Sequence, residues 1–214
     1  MLKIKSFEFN PFGEKTYLVW DPDTLQAMVI DPGMSNAAER DEFDRFVARE
    51  HLNIKYMVNT HLHLDHTWGN DHVTDTYGTA TSASPADAML GRRRAEQAQM
   101  FGMREHMKPL DITHHLHDGD RMALGGYTFE VISVPGHSPG GLALYCPQGG
   151  VLFSGDSLFA GSVGRTDLPG GDMNTLLDAI TAKLLTLPET TTVFPGHGPS
   201  TTIGRERSSN PFLR

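Results

Sequence analysis

The chain has 214 residues, 38% hydrophobic and 21% charged, with 26 acidic against 18 basic side chains for a formal charge of −8. One cysteine, Cys146, excludes an intrachain disulfide, the acidic balance argues against a nucleic-acid or anionic-membrane partner, and no apolar run reaches the length of a membrane span. The N-terminus, MLKIKSFEFN, alternates instead of forming the apolar core of a signal peptide. The expectation is a cytoplasmic chain folded as a single domain over 1–214.

In chain order, residues 2–9 alternate as a strand, and 16–20 with 26–30 continue a meander around the turn Asp21-Pro22-Asp23. Residues 35–52 carry Phe43, Phe46 and Val47 at helical spacing. Residues 54–58 are a short apolar run, 80–82 a short strand, and Ser84-Pro85 opens a helix with a capping hydroxyl and a proline at the first position. Residues 91–108 read as mixed helix and loop. Strands return at 113–117, 121–124, 127–134, 141–145 and 151–154. Asp172 caps a helix reaching about residue 187, 191–194 is the last strand, and a terminal helix starts near 200. A strand-rich stretch followed by a helix, twice over, predicts two sheets packed face to face with helices outside.

A pattern recurs at four strand ends. "YMVNTHLH" leads to His61 and His63, "VISVPGH" to His137, "VLFSGD" to Asp156 and "TVFPGH" to His197. Each is an apolar run that ends in a turn and delivers a potential ligand, which is where a rigid scaffold places chemistry. Three of the turns carry a glycine beside the ligand, which lets the backbone approach a crowded centre. With Asp65 and His66 the donors are His61, His63, Asp65, His66, His137, Asp156 and His197: five imidazoles and two carboxylates. A tetrahedral ion takes four ligands, so this set suits two ions with one carboxylate bridging. Imidazole with carboxylate suits Zn²⁺, and also Fe or Mn.

HxHxDH followed by these later PGH, SGD and PGH turns resembles the metallo-β-lactamase superfamily, and Val29-Ile30-Asp31-Pro32-Gly33 looks like its early structural turn. The resemblance covers essentially the whole chain. It implies an α/β fold, a four-layer αβ/βα sandwich of two mixed sheets flanked by helices, with the site at one edge of the sheets. It implies His61, His63 and His137 on a first metal, Asp65, His66 and His197 on a second, and Asp156 between them. The commonest β-lactamases have cysteine where Asp156 stands, which disfavours antibiotic hydrolysis, and there is no room for the nucleases' extra domain. Residues 154–172 and the C-terminal "FPGHGPSTTIGRERSSNPFL" look like the glyoxalase II type of compact hydrolase. The implied reaction is hydrolysis of a small-molecule thioester such as S-lactoylglutathione by a metal-bridging hydroxide, with two divalent metals, zinc foremost, and Asp65 orienting the nucleophile and accepting its proton. The helical region by which full-length glyoxalase II enzymes bind glutathione has no counterpart here, so glutathione recognition is not implied. The "GRTD" segment also resembles the persulfide dioxygenases, which use one iron on the equivalents of His61, His137 and Asp156; this is the alternative function.

Other features read as structural. Asp31 is either a support for a ligating histidine or a turn residue, and Arg165 with Asp167 either braces the bridging loop or forms a plain ion pair. His114, His115 and His117 read as partly solvated strand-face residues, and His51, His72 and His106 as surface or mouth residues. Arg92, Arg93 and Arg94 read as a solvated helix face ahead of a substrate-carboxylate site at the pocket mouth, and Met100, Phe101 and Met103 as helix packing ahead of the lining of an apolar substrate pocket. Trp68 reads equally as a cover for the site or as core. Cys146 reads as a buried inert thiol.

Overall fold

The structure, a computed structural model, describes residues 1–103 and 107–213; His106 lies outside the described residues. The chain opens with the expected meander, β1 (Lys3–Phe9), β2 (Glu14–Trp20) and β3 (Gln26–Ile30). The β1–β2 turn needs left-handed backbone at Asn10 (φ 51°) and Gly13 (φ 65°). Helix α1 (Ala37–Arg49) is capped by Asn36, whose side chain accepts the Glu39 N–H, and it buries Phe43 and Val47. Strand β4 (Asn53–Val58) returns parallel to β3.

Between β4 and β5 (Thr81–Ala83) lies a helix that periodicity does not reveal, α2 (Asn70–Tyr77). Its buried residues are Asn70 and Val73, so it shows almost no apolar stripe; Gly78 ends it in the left-handed conformation (φ 69°). Two short helices follow, α3 (Ala88–Arg92) and α4 (Arg94–Met100). The strand expected at 113–117 is only β6 (His114–His115). The second half contains β7 (Arg121–Leu124), β8 (Tyr127–Ser133), β9 (Leu142–Cys146), β10 (Val151–Gly155) and a ribbon, β11 (Leu158–Phe159) with β12 (Ser162–Val163). Then come α5 (Met173–Ala179), continued by a π-helical turn at Ile180–Leu184, β13 (Thr192–Pro195), β14 (Thr201–Thr202) and α6 (Ile203–Ser209). Asp172 caps α5 as expected, accepting the Thr175 N–H at 2.7 Å.

Two mixed six-stranded sheets result, in the orders β1-β2-β3-β4-β5-β6 and β14-β13-β10-β9-β8-β7. Three apolar layers hold them. Tyr17, Val19, Met28, Ile30 and Val58 of the first sheet meet Phe129, Val131, Leu142, Leu144 and Phe153 of the second. Outside the first sheet, Leu18, Val29 and Met57 pack on Phe43 and Val47 of α1. Outside the second, Ala143, Leu152 and Val193 pack on Leu176, Ile180 and Leu184. Strands covered on both faces read as unbroken apolar runs rather than alternating ones, which is why β9 and β10 are buried throughout. This is the four-layer αβ/βα sandwich that the resemblance implies. Cys146 sits in the layer between the sheets, and burial raises its thiol pKa, as expected of an inert cysteine. Among the described residues no helix is long and apolar enough to cross a membrane.

Topology brings the ligand-bearing turns together. β10 and β13 run parallel with Gly155 beside Pro195, so Asp156, next after β10, and His197, two residues after β13, leave the sheet at the same edge. Gly196 makes the approach possible: a Cβ there would fall 2.2 Å from Asp156 Oδ1 and 2.6 Å from the His66 ring. Gly136 does the same beneath His137, with φ 126° and the backbone of α5 where a side chain would stand.

Candidate metal centre

The seven sequence-predicted donors converge into adjacent clusters. His61, His63 and His137 form one, Asp65, His66 and His197 a second, and Asp156 joins His61 and His66 between them. In the first, His137 Nε2 lies 2.9 Å from His63 Nδ1 and 3.2 Å from His61 Nε2. In the second, His197 Nε2 lies 3.1 Å and His66 Nε2 3.7 Å from Asp65 Oδ2. Asp156 spans the gap, its Oδ2 3.6 Å from His137 Nε2 and its Oδ1 3.4 Å from His66 Nε2. Tetrahedral ligands at 2.0–2.1 Å from an ion stand about 3.3 Å apart, close to the separations in both clusters.

The surroundings orient these lone pairs inward. His137 Nδ1–H donates to the Arg165 carbonyl at 2.7 Å, leaving Nε2 unprotonated and aimed at the other imidazoles. Thr60 Oγ1 donates to Asp31 Oδ2 at 2.7 Å, so it accepts from His61 Nδ1–H at 3.1 Å and again leaves Nε2 free. The same Asp31 Oδ2 stands 3.0 Å from His66 Nδ1, a contact of charge rather than an aligned hydrogen bond, and draws the proton to that nitrogen. Asp31 thus holds a histidine of each cluster, His66 directly and His61 through Thr60, as the first of its two sequence readings expects. The loop holding Arg165 does brace His137, but through its backbone; the side chain pairs with exposed Asp167 at 2.7 Å.

The electrostatics suit cations. His66 Nε2 and Asp156 Oδ1 are fully buried and make no hydrogen bond, a costly arrangement that a shared cation would relieve. Burial, reinforced by the neighbouring imidazoles, pushes His61 well below its ordinary value and His63 down to about 4, so both are neutral and ready to ligate. Burial alone would raise Asp65 and Asp156, yet His66 and the other imidazoles hold both below the carboxylate range. Burial alone would lower His66, yet Asp156, Asp65 and Asp31 raise it well above its ordinary value. Without a cation, the carboxylates place protons where a positive ion would sit.

Four supporting residues escaped the sequence reading. Asp87 Oδ2 accepts from Leu62 N–H at 3.0 Å and Ser138 Oγ at 2.9 Å, and Oδ1 from Gly140 N–H at 2.6 Å, tying the His61–His63 loop to the His137 loop. Asn10 Nδ2 donates to the carbonyls of Gly33 and Asp65, both at 3.0 Å. Gln97 on α4 accepts the Leu64 N–H and donates to the Leu62 carbonyl. Thr60, described above, is the fourth. The only local signals are the turn-forming Asn10-Pro11-Phe12-Gly13 and a hydroxyl preceding the first histidine; Asp87 and Gln97 have none.

The centre lies on the floor of a cleft of about 680 Å³, with His63, Asp65, His137, Asp156 and His197 exposed to it. The cleft corrects two expectations. Met100 and Phe101 are 65% and 46% exposed and line the cleft, the lesser of their two sequence readings, while Met103 packs near Ala98 and Met107 as the main reading expects. Arg92 and Arg93 are solvated as expected, but Arg94 is fully buried, donating to the Thr67 carbonyl at 2.9 Å. Trp68 packs beside Leu64 and Ala98, the core reading. His72 is half-buried against Asp44 at 3.0 Å, away from the mouth. His114, His115 and His117 are exposed and take no part in the clusters.

The family model of the metallo-beta-lactamase superfamily matches residues 10–197. The chain belongs to that superfamily, and its class is that of the metallo-hydrolases. It is 35% identical to hydroxyacylglutathione hydrolase GloC of Haemophilus influenzae, over 99% of this chain and 98% of that protein. Among solved structures it resembles the BLEG-1 B3 metallo-beta-lactamase (36% identity, 99% of each chain, TM-score 0.90). It also resembles TTHA1623 in a di-iron-bound form (36%, 98% of this chain and all of the other, TM-score 0.85). ETHE1 from Myxococcus xanthus is more distant (26%, 98% and 83%, TM-score 0.77).

Proposed function

We propose that the chain is a binuclear metallohydrolase of small thioesters, with S-lactoylglutathione as reference substrate. The observation that carries this is the convergence of seven donors into two clusters sharing Asp156 on the floor of an open cleft. His61, His63 and His137 would hold one divalent cation, Asp65, His66 and His197 the other, and Asp156 would contact both. Cations held there would supply Lewis acidity, which lowers the pKa of a bound water to about 7 and polarises a carbonyl. The donor set suits zinc, and also iron or manganese. Full-length likeness to GloC supports a thioester substrate.

The chain's own residues complete the chemistry. Asp65 faces the cleft and is held ionised by His66 and His197, so its carboxylate orients an attacking water and accepts its proton. The Arg165 carbonyl and Asp31 with Thr60 hold His137 and His61 in the ligating tautomer throughout. No serine or cysteine nucleophile is required.

Metal analysis of the purified holoprotein, combined with a thioesterase assay in an oxygen-electrode cell, tests the proposal. The expected result is two metal ions per chain and S-lactoylglutathione hydrolysis without oxygen uptake. One iron per chain with oxygen consumed on glutathione persulfide would replace it with the mononuclear-iron persulfide dioxygenase reading.

A further inference from the structure

Beside the reacting centre the cleft is built from exposed apolar side chains. Met89 is 55% exposed, Met100 65% and Phe101 46%, three of the most solvent-exposed large apolar residues of the chain, and all three lie on this one wall. Phe12 meets Phe101 edge-on with ring centroids 5.0 Å apart, and Leu168 also lines the cleft. A patch of this kind next to a catalytic floor marks a ligand surface rather than stray exposure.

The wall is tied to the chemistry. Gln97, one turn before Phe101 on α4, accepts the N–H of Leu64 at 2.9 Å and donates to the carbonyls of Leu62 and Leu90 at 3.2 and 2.9 Å. Fully buried Arg94 joins the same helix to the Thr67 carbonyl. The loop that carries His63 and Asp65 therefore sets the position of the Met/Phe wall.

Charge at the rim is balanced. Arg165 is engaged by Asp167, and Arg93 Nε stands 3.7 Å from Glu96. No lysine lines the cleft among the described residues. Each guanidinium thus has a carboxylate beside it that offsets its charge.

We infer that the Met89–Met100–Phe101 wall selects thioesters bearing an apolar group beside the reacting bond, as in medium-chain acyl thioesters. The inference rests on the thioesterase reading. Methionine's flexibility lets such a wall accept chains of several lengths. Full burial of one methylene gives about fourfold in affinity. In a cleft open on one side half of that free energy is recovered, which is about twofold per methylene.

The test is kcat/KM over two substrate series: acetyl- to octanoylglutathione, and acetyl thioesters of ethanethiol to octanethiol. The expected result is a rise of about twofold per methylene along one series, which also reports whether the wall takes the acyl or the thiol side. The Met100→Ser/Phe101→Ser double variant should flatten the rise, and Met100→Leu should preserve it. The long-to-short ratio within each variant is the readout, so a general loss of activity cancels. Hydrolysis of the short substrates with flat ratios in both series would overturn the inference and leave the thioesterase reading standing. No hydrolysis of any thioester would fail that reading itself.

Discussion

Replacing Asp87 with alanine separates the support of the two ligand loops from the ligands themselves. Its buried carboxylate accepts three hydrogen bonds, from Leu62 N–H, Ser138 Oγ and Gly140 N–H. Hydrogen bonds to a charged group contribute about 1.5–3 kcal/mol each, so the gross value is about 4.5–9 kcal/mol. Burial works against the carboxylate and raises its pKa, which lowers the net value. Asp87→Ala leaves two buried N–H groups and a hydroxyl without their acceptor, for an expected loss of about 3–5 kcal/mol. Zinc affinity at the His61–His63–His137 cluster should fall about 10–100-fold, the usual effect of removing a support behind ligands. Urea unfolding of the metal-free protein and chelator competition for zinc measure the two quantities separately. Asp87→Asn should recover part of the stability, because an amide keeps one acceptor but turns a donor toward an N–H. Stability within about 1 kcal/mol of the parent together with unchanged zinc affinity would refute the claim that one carboxylate couples the loops.

Asp65→Asn should keep the metal-free protein folded at some cost in stability, because it removes a carboxylate paired with His66 and His197, and should reduce kcat by about 10²–10⁴, with metal analysis reporting whether the second ion is retained; parent-like turnover would remove Asp65 from the chemistry. Asn10 has φ 51° and its side chain holds the Asp65 carbonyl. Asn10→Gly should therefore lose only the hydrogen bonds, about 1–2 kcal/mol, and Asn10→Ala should cost about 1 kcal/mol more through strain, read by urea unfolding. In metal-free protein His63 titrates at about 4 against 6.5 for an unperturbed histidine. Between those values the unfolded chain binds the extra proton, so stability falls as pH drops from 6.5 to 4, by about 3 kcal/mol from this group. His66 and His197, whose pKa values are raised, are protonated in both states below about pH 6 and add no slope there. His63→Asn should remove that share of the acid sensitivity in pH-dependent melts.

What the sequence made legible and what it hid divide along a physical line. His137, Asp156 and His197 could be found because each follows a buried run and a glycine-containing turn, a local pattern that states its own geometry. β9 and β10 could be found because strands covered on both faces are apolar throughout. Helix α2 could not, since it buries only Asn70 and Val73 and packing rather than periodicity holds it. Arg94 sits in a run of three arginines of which the other two are solvated. Its burial depends on the Thr67 carbonyl, 27 positions away in the chain. Met100 ends a helix of seven residues and Phe101 follows it, too short a helix for periodicity to show which side faces a partner. Asp87 acts through partners 25 to 53 positions away, a separation at which local patterns carry no signal.

Asp31 has a consequence for how this centre could change over generations. One carboxylate oxygen serves Thr60, and through it His61, while also facing His66. The two clusters therefore lean on a common post, and damage to it weakens both together. A lineage that moved from two ions to one could not begin at Asp31 without endangering the ion it keeps. The open route is through Asp65 or His197, donors found only in the second cluster. Their side chains are 19% and 27% exposed, against 5% for His137, so exchange there disturbs less packing. If the proposed pair of ions is bound, the second is the one this arrangement can lose with the least damage to the fold.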